Sequence, residues 1–375
     1  MDKKKIFHLV TVSKSIPLMN GQIEYLRNKG FDVHIVSSAG KEQNAYPKDI
    51  VHAINMEREI SIKQDLISLF KMTKLFLKEK PLIVNSGTPK AGLIGTLAAF
   101  ITRRPVRIYT VRGLRLETVH GFKYKILYAM EKLAMFCATD VIAISESLKD
   151  KIVSLRLEKQ GNIQVLGYGS SNGINLEKFS KSYNDIPVSI ENQLENHFVL
   201  GYVGRIVKDK GIREVIESFK ILKDKGYKVK LLIVGALEKD DSIGEEYYNF
   251  LSNNKDIVLT GHVDQPVNYY NHMDVLLFPT YREGFGNVSI EAQALEIPVI
   301  TSNATGAKDT VEDKHTGYIV EIGDYIKIAE KTETLIIDET LRYELGRNAR
   351  KRVIDKFDSK IIWKHLETIY RNKNL

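Results

Sequence analysis

Cysteine occurs once in 375 residues, at Cys137. One thiol cannot close an internal disulfide, it rules out a cysteine-built zinc site, and it suits a reducing compartment. No apolar run approaches the ~20 residues that a membrane-spanning helix needs. The N-terminus, MDKKKIFHLVTVSK, is a lysine cluster and a short apolar strand without a cleavage pattern, so a cytoplasmic protein is expected. The glycine fingerprint G-x-G-x-x-G is missing, which disfavours a nicotinamide enzyme. Repeats and low-complexity tracts are absent as well.

What is present is an ordinary globular composition, 43% apolar and 27% charged, in a chain long enough for two domains. The net charge of +8 is unevenly spread: residues 1–190 hold 29 Lys and Arg against 17 Asp and Glu. A basic first half implies an anionic partner, whether nucleic acid, lipid or a phosphorylated substrate.

Strand and helix signals alternate throughout. KIFHLVTV, DVHIVSS, PLIVNSG, VRIYTVRG and DVIAIS read as short buried strands separated by helical stretches, which predicts a mostly parallel sheet covered on both faces. The rhythm restarts after a polar passage at 180–197 with FVLGYVG, VKLLIVG, DIVLTGHV, DVLLFPT and PVITS. The expected fold is therefore α/β, with two doubly wound Rossmann-like domains facing across a cleft. The expected boundaries are 1–185 and 186–356, with a terminal helix at 357–375 returning to the first domain. Ligands of such sheets bind at the C-terminal strand ends.

Two strand ends carry chemistry. In GYVGRIVKDKG, Gly204 permits close backbone approach, while Arg205 and Lys210 follow where a diphosphate could rest. In YREGFGNVSIEAQALE, the glycines Gly284 and Gly286 free the loop, and a helix starts near Asn287. Its positive end suits a phosphate. Glu283 can accept hydrogen bonds from sugar hydroxyls, and Glu291, eight residues on, can hold a ribose diol.

The Glu283–Glu291 pair resembles the E-x7-E motif of glycosyltransferase family 4, retaining enzymes of the GT-B fold. GYVGRIVKDKG is similar to that family's diphosphate loop, and the resemblance spans nearly the whole chain. Within that family the chain resembles the capsule and O-antigen glycosyltransferases. The resemblance implies that Arg205 and Lys210 stabilise a nucleoside diphosphate leaving group and that Glu283 orients the donor sugar. Phe285, Gly286, Asn287 and Val288 would meet sugar and phosphates, Glu291 the ribose, and His262 and Val263 the base. Gly21 would approach the donor phosphate, although the family's tandem glycine is Asn20–Gly21 here.

Many relatives carry histidine where Arg112 stands. Arg112 and Arg115 are read as candidate ligands of an acceptor phosphate, with Glu117 as a nearby acid or ion-pair partner. Lys90 follows Thr88–Pro89 at a helix start, where a lysine is electrostatically awkward unless an anion is near, and it joins that group. No two aspartates are separated by one residue, so the D-x-D metal site of the other large glycosyltransferase class is missing and metal-independent use of a UDP-sugar is expected.

Residues 62–80 and 122–136 mix lysines with leucines and aromatics, as helices on an anionic bilayer do. A polyprenyl-diphosphate-linked sugar acceptor would explain the basic first half, and it places the protein peripherally at the inner face of the membrane. Two rivals stay open: a nucleotide-sugar 2-epimerase of the same fold, and a non-catalytic anion or nucleic-acid binder. The basic residues do not form a known nucleic-acid module, so no nucleic-acid partner is expected.

Overall fold

A computed structural model describes residues 3–57, 59–179, 186–238 and 243–373. The chain divides into two compact units, Met1–Gly173 with Ser359–Leu375, and Ile174–Asp358.

The first unit is built on a seven-stranded parallel sheet. Its strands are β1 (Lys5–Leu9), β2 (Asp32–Ser37), β3 (Val51–Ala53), β4 (Ile83–Gly87), β5 (Val106–Val111), β6 (Asp140–Ala143) and β7 (Ile163–Val165). They run in the order β3-β2-β1-β4-β5-β6-β7. Helices α1 (Gln22–Asn28), α2 (Ile62–Glu79), α3 (Pro89–Ile101), α4 (Gly121–Cys137) and α5 (Glu146–Ser154) cover it. The strands are continuous apolar runs because both faces are buried; β4 is buried at every position.

The second unit repeats the plan with six parallel strands, β8 (Phe198–Val203), β9 (Val229–Val234), β10 (Ile257–Leu259), β11 (Val275–Phe278), β12 (Val299–Ser302) and β13 (Gly317–Val320), ordered β10-β9-β8-β11-β12-β13. Its helices are α6 (Val188–Leu194), α7 (Ile212–Asp224), α8 (Glu245–Asn253), α9 (Val267–Tyr270), α10 (Asn287–Ala294), α11 (Tyr325–Ile337) and α12 (Glu339–Lys356). In α7, Val215, Ile216, Phe219 and Leu222 leave water completely, each burial stabilising by roughly 1.5–3 kcal/mol. In both sheets the strand order reverses beside the first strand, next to β4 in one unit and β11 in the other. Such switch points open ligand crevices at the C-terminal strand ends.

The last helix, α13 (Ser359–Asn372), belongs to the first unit, with Ile362, Leu366 and Tyr370 inside its core. The division between units falls after Gly173, earlier than the 185/186 boundary read from the sequence. Ile174 is tied to the second unit: its N–H donates to Phe357 O at 2.8 Å. Of the polar passage at 180–197, which reads as a linker between the domains, residues 180–185 lie outside the described residues, and Val188–Leu194 is helical. The short strands β3, β7 and β13 went unread because three or four residues at a sheet edge carry almost no periodic signal.

Candidate functional site

The ends of β8 and β11 flank the switch point of the second sheet, and the two chemistry-bearing loops leave from there. After β8 the chain passes Gly204, with φ +146, then makes a short 3-10 turn over Lys208–Lys210 and enters α7 through Gly211. Gly211 has φ +73, and a Cβ there would lie 2.0 Å from Pro279 O. Only glycine lets the start of α7 pack this closely on the end of β11.

The two loops are then stitched together. Asp209 O accepts the Thr280 hydroxyl at 3.0 Å and the Tyr281 N–H at 2.9 Å. The Arg282 guanidinium pairs with Asp209 at 3.0 Å. Across this junction Lys210 Nζ donates to the Glu283 carboxylate, both side chains being about four-fifths buried. Glu283 is held from behind, its N–H donating to Thr305 O at 2.9 Å. Arg205 is exposed and pairs with Glu238 at 2.9 Å, a surface contact of little strength. Each of the two cations read from the sequence thus has a carboxylate partner that a competing anion could displace.

Gly286, φ +92, precedes α10, and a Cβ there would meet the Phe278 ring at 2.6 Å. Phe285 is buried and packs on Phe357 at 5.2 Å, so its ring is core and only its backbone faces the loop chemistry. Glu291 is half-buried; the Tyr270 hydroxyl donates to it at 2.8 Å. Burial pushes its carboxyl above the usual range, and the Tyr270 hydrogen bond acts against that shift. Surface decoration would show neither property. His262 stands largely in solvent, 3.6 Å from Asp264, with Val263 partly covered beside it. Thr305 and Gly306 went unread as site residues. Gly306, φ +76, lies so close to Glu283 and Gly284 that a Cβ would come within 2.6 Å of the Glu283 carbonyl. A Thr-Gly pair after a strand was the available signal.

In the first unit the structure changes several readings. Lys90 is buried, with Nζ 2.6 Å from both oxygens of Asp65 and 2.8 Å from Glu59 O. The anion that its position demanded is supplied within the chain by Asp65, so Lys90 has a structural reason to stand there. Arg115 pairs with Glu59 at 3.1 Å, and Glu117 lies 3.9 Å from Lys151. Gly21 has φ +75, and a Cβ there would fall 2.5 Å from the Trp363 ring of α13; its small size has a packing reason. Arg112, at the end of β5, has Nε and Nη1 shielded from solvent without a hydrogen-bond partner among the described residues.

Helix α2 carries two apolar stripes. Met72 and Phe76 are buried against the sheet, whereas Ile62, Leu66, Phe70 and Leu77 face out, Phe70 at 71% exposure. Phe76, read as part of a membrane-facing mixture, is core instead. On α4, Phe122 and Phe136 are 78% and 70% exposed. Lysines 63, 71, 74, 78, 123 and 125 are exposed on the same two helices. No helix among the described residues is long and apolar enough to cross a membrane. None of the described His, Cys, Asp and Glu side chains form a group of three that could hold a metal ion.

Comparison with known proteins fits this geometry. A family model described as glycosyl transferases group 1 matches residues 188–352, and one described as glycosyl transferase 4-like matches residues 5–145. The chain is 64% identical over 370 residues to the capsular polysaccharide biosynthesis glycosyltransferase CapM of Staphylococcus aureus, covering 99% of this chain and 97% of that one. It is 26% identical to an Escherichia coli UDP-Gal:alpha-D-GlcNAc-diphosphoundecaprenol alpha-1,3-galactosyltransferase, over 95% of this chain and 94% of the other. Among solved structures, HepE from Anabaena, in complex with UDP and glucose, superposes with a TM-score of 0.80 at 19% identity, covering 99% of this chain and all of that one. That likeness is one of fold, the GT-B arrangement of two parallel-sheet α/β domains.

Proposed function

The chain belongs to the group 1 glycosyl transferases, and on that premise we propose that it moves a sugar from a UDP-sugar to a hydroxyl of a lipid-diphosphate-linked glycan during capsule assembly. The anomeric configuration is retained. The observation that carries this reading is the junction of the β8 and β11 loops at a sheet switch point, where Lys210 pairs with Glu283 a few residues before the start of α10.

Donor binding exchanges ion pairs. The diphosphate takes Lys210 from Glu283 and Arg205 from Glu238, and its oxygens rest at the positive end of α10. Glu283, released from Lys210, accepts hydrogen bonds from the donor sugar, and Glu291 holds the ribose diol. As the anomeric C–O bond breaks, two cations and a helix dipole already stand where negative charge develops. That charge is met without calling on a metal ion. The leaving phosphate takes the proton of the attacking hydroxyl on the same face, which gives retention.

The acceptor class is supported by the Escherichia coli relative, whose name specifies a diphosphoundecaprenol-linked sugar, and the capsule setting by CapM. Membrane association is supported by the outward stripe of α2 and the exposed Phe122 and Phe136 of α4, set among lysines. Apolar insertion and roughly 1 kcal/mol per basic residue at an anionic surface would hold the protein at the inner face of the membrane.

The test is a thermal-shift screen of UDP- and GDP-sugars, followed by a transfer assay with the best binder and a lipid-linked acceptor. Stabilisation by a UDP-sugar and transfer with retention are expected. Conversion of the donor in the absence of acceptor would identify an epimerase instead. Failure to sediment with anionic vesicles would remove the membrane part.

A further inference from the structure

Arg112 sits just past the C-terminal end of β5, beside the switch point of the first sheet. Its guanidinium lies over the last residue of β4: a Cβ on Gly87 would stand 2.8 Å from Nε. Nε and Nη1 have no hydrogen-bond partner among the described residues. Nearby polar groups are already committed to one another. Thr110 Oγ1 donates to Asn85 Oδ1 at 2.8 Å, Asn85 Nδ2 donates to the Tyr370 hydroxyl at 2.7 Å, and that hydroxyl meets His8 Nε2 at 3.0 Å. Burial, reinforced by the Arg112 charge, pulls His8 down to about 3. The imidazole is therefore neutral and can accept the Tyr370 proton, which closes the chain of hydrogen bonds and leaves nothing for Arg112.

The contrast with its neighbours is sharp. Lys90 has Asp65 and Arg115 has Glu59. Burial lowers the Arg112 guanidinium to about 10, and the one group acting against that shift is Tyr370, not a carboxylate. It remains a cation at neutral pH, partly buried, with Nε and Nη1 withdrawn from water and no salt-bridge partner among the described residues, which is costly unless an anion arrives. Next to Gly87, Thr88 is held at φ +69, a rare conformation for a β-branched residue. Its hydroxyl accepts the Thr11 N–H at 3.0 Å, which helps fix it there. Backbone strain of this kind concentrates at ligand sites.

We propose that Arg112 anchors an oxyanion subsite at the β4–β5 edge, taking a phosphate or carboxylate oxygen of the substrate on its guanidinium fork. That the anion belongs to a substrate rests on the glycosyl-transfer reading; the need for an anion does not. Two sources share this chemistry, the diphosphate of a lipid-linked acceptor and the carboxylate of a uronic-acid sugar.

Calorimetric titration of the full chain with geranyl diphosphate and with sodium glucuronate separates them. One of the two is expected to bind the native protein and to bind Arg112→Gln at least about tenfold more weakly, which corresponds to about one planar charged contact. Arg112→Lys, with the charge but not the fork, should fall between. Geranyl diphosphate identifies the acceptor, glucuronate an acidic sugar. The Gln variant without anion should melt at or above the native protein, because the charge it loses has no partner. Binding of neither probe, equal binding by the Gln variant, or a Gln variant that melts well below native would overturn the proposal. Because the readout is binding, a protein that transfers no sugar still tests the subsite.

Discussion

Gly211→Ala is the substitution whose consequences follow most directly from the geometry. Two penalties add. The residue has φ +73, a conformation that costs an L-residue roughly 1–2 kcal/mol. The new methyl would also stand 2.0 Å from Pro279 O and 2.6 Å from its carbonyl carbon, and overpacking of this kind costs about 1–3 kcal/mol. A backbone carbonyl at the end of β11 cannot rotate away as a flexible side chain could. Together these give about 2–5 kcal/mol, or a drop of about 4–20 °C in the melting of a unit of this size. Relief requires the α7 start and the β11 end to separate, which would pull on the Asp209 bonds to Thr280 and Tyr281 and on the Lys210–Glu283 pair. Gly226→Ala is the control, since Gly226 has φ +85 but nothing within 4 Å of a Cβ; it should lose only the first penalty, about 1–2 kcal/mol. The assay is differential scanning calorimetry of both variants with initial transfer rates at 25 °C. Gly211→Ala should lose at least about tenfold in turnover, and Gly226→Ala should stay close to native. Equal melting shifts, or a Gly211→Ala enzyme with native rates, would refute the reasoning.

Lys210→Ala and Glu283→Gln should each lower turnover at saturating donor at least about tenfold, a loss of ~1.4 kcal/mol in barrier stabilisation; native rates in initial-velocity assays would contradict their roles. Asp65→Asn leaves Lys90 buried without its counter-charge, so urea unfolding should show a loss of about 3–5 kcal/mol. Glu131 is buried beside the Tyr109 hydroxyl at 2.8 Å, and burial raises its carboxyl from 4.5 to about 7. The folded chain therefore binds that proton more tightly than the unfolded chain, and this contribution to stability is present below pH 4.5 and is lost as the pH rises through about 7. Glu131→Gln should accordingly raise stability at pH 8 by up to about 3 kcal/mol and change little at pH 4.5, as melting curves at the two pH values would show.

The two candidate loops stood out because their residues are local in sequence. Glu283, Gly284, Gly286, Asn287 and Glu291 fall within nine residues, and a strand precedes them. Arg205 and Lys210 likewise follow a strand end. The major strands were legible too, since continuous apolar runs mark strands buried on both faces. Partnerships over long separations were not. Lys90 and Asp65 are 25 residues apart, Arg205 and Glu238 33, and Lys210 and Glu283 73, and no periodicity connects them. Gly21 shows a different limit: a glycine at a helix start reads as ligand approach, yet the Trp363 ring that requires it comes from the far end of the chain. In α2 the leucines and phenylalanines were visible, but which stripe turned inward depended on the sheet beneath.

A crystal structure of the chain with a UDP-sugar is the most direct measurement. The diphosphate is expected within hydrogen-bond distance of Arg205 and Lys210 and of the backbone at Gly286–Asn287, with Glu283 turned from Lys210 toward the sugar. A diphosphate bound elsewhere, with the Lys210–Glu283 pair still intact, would contradict it.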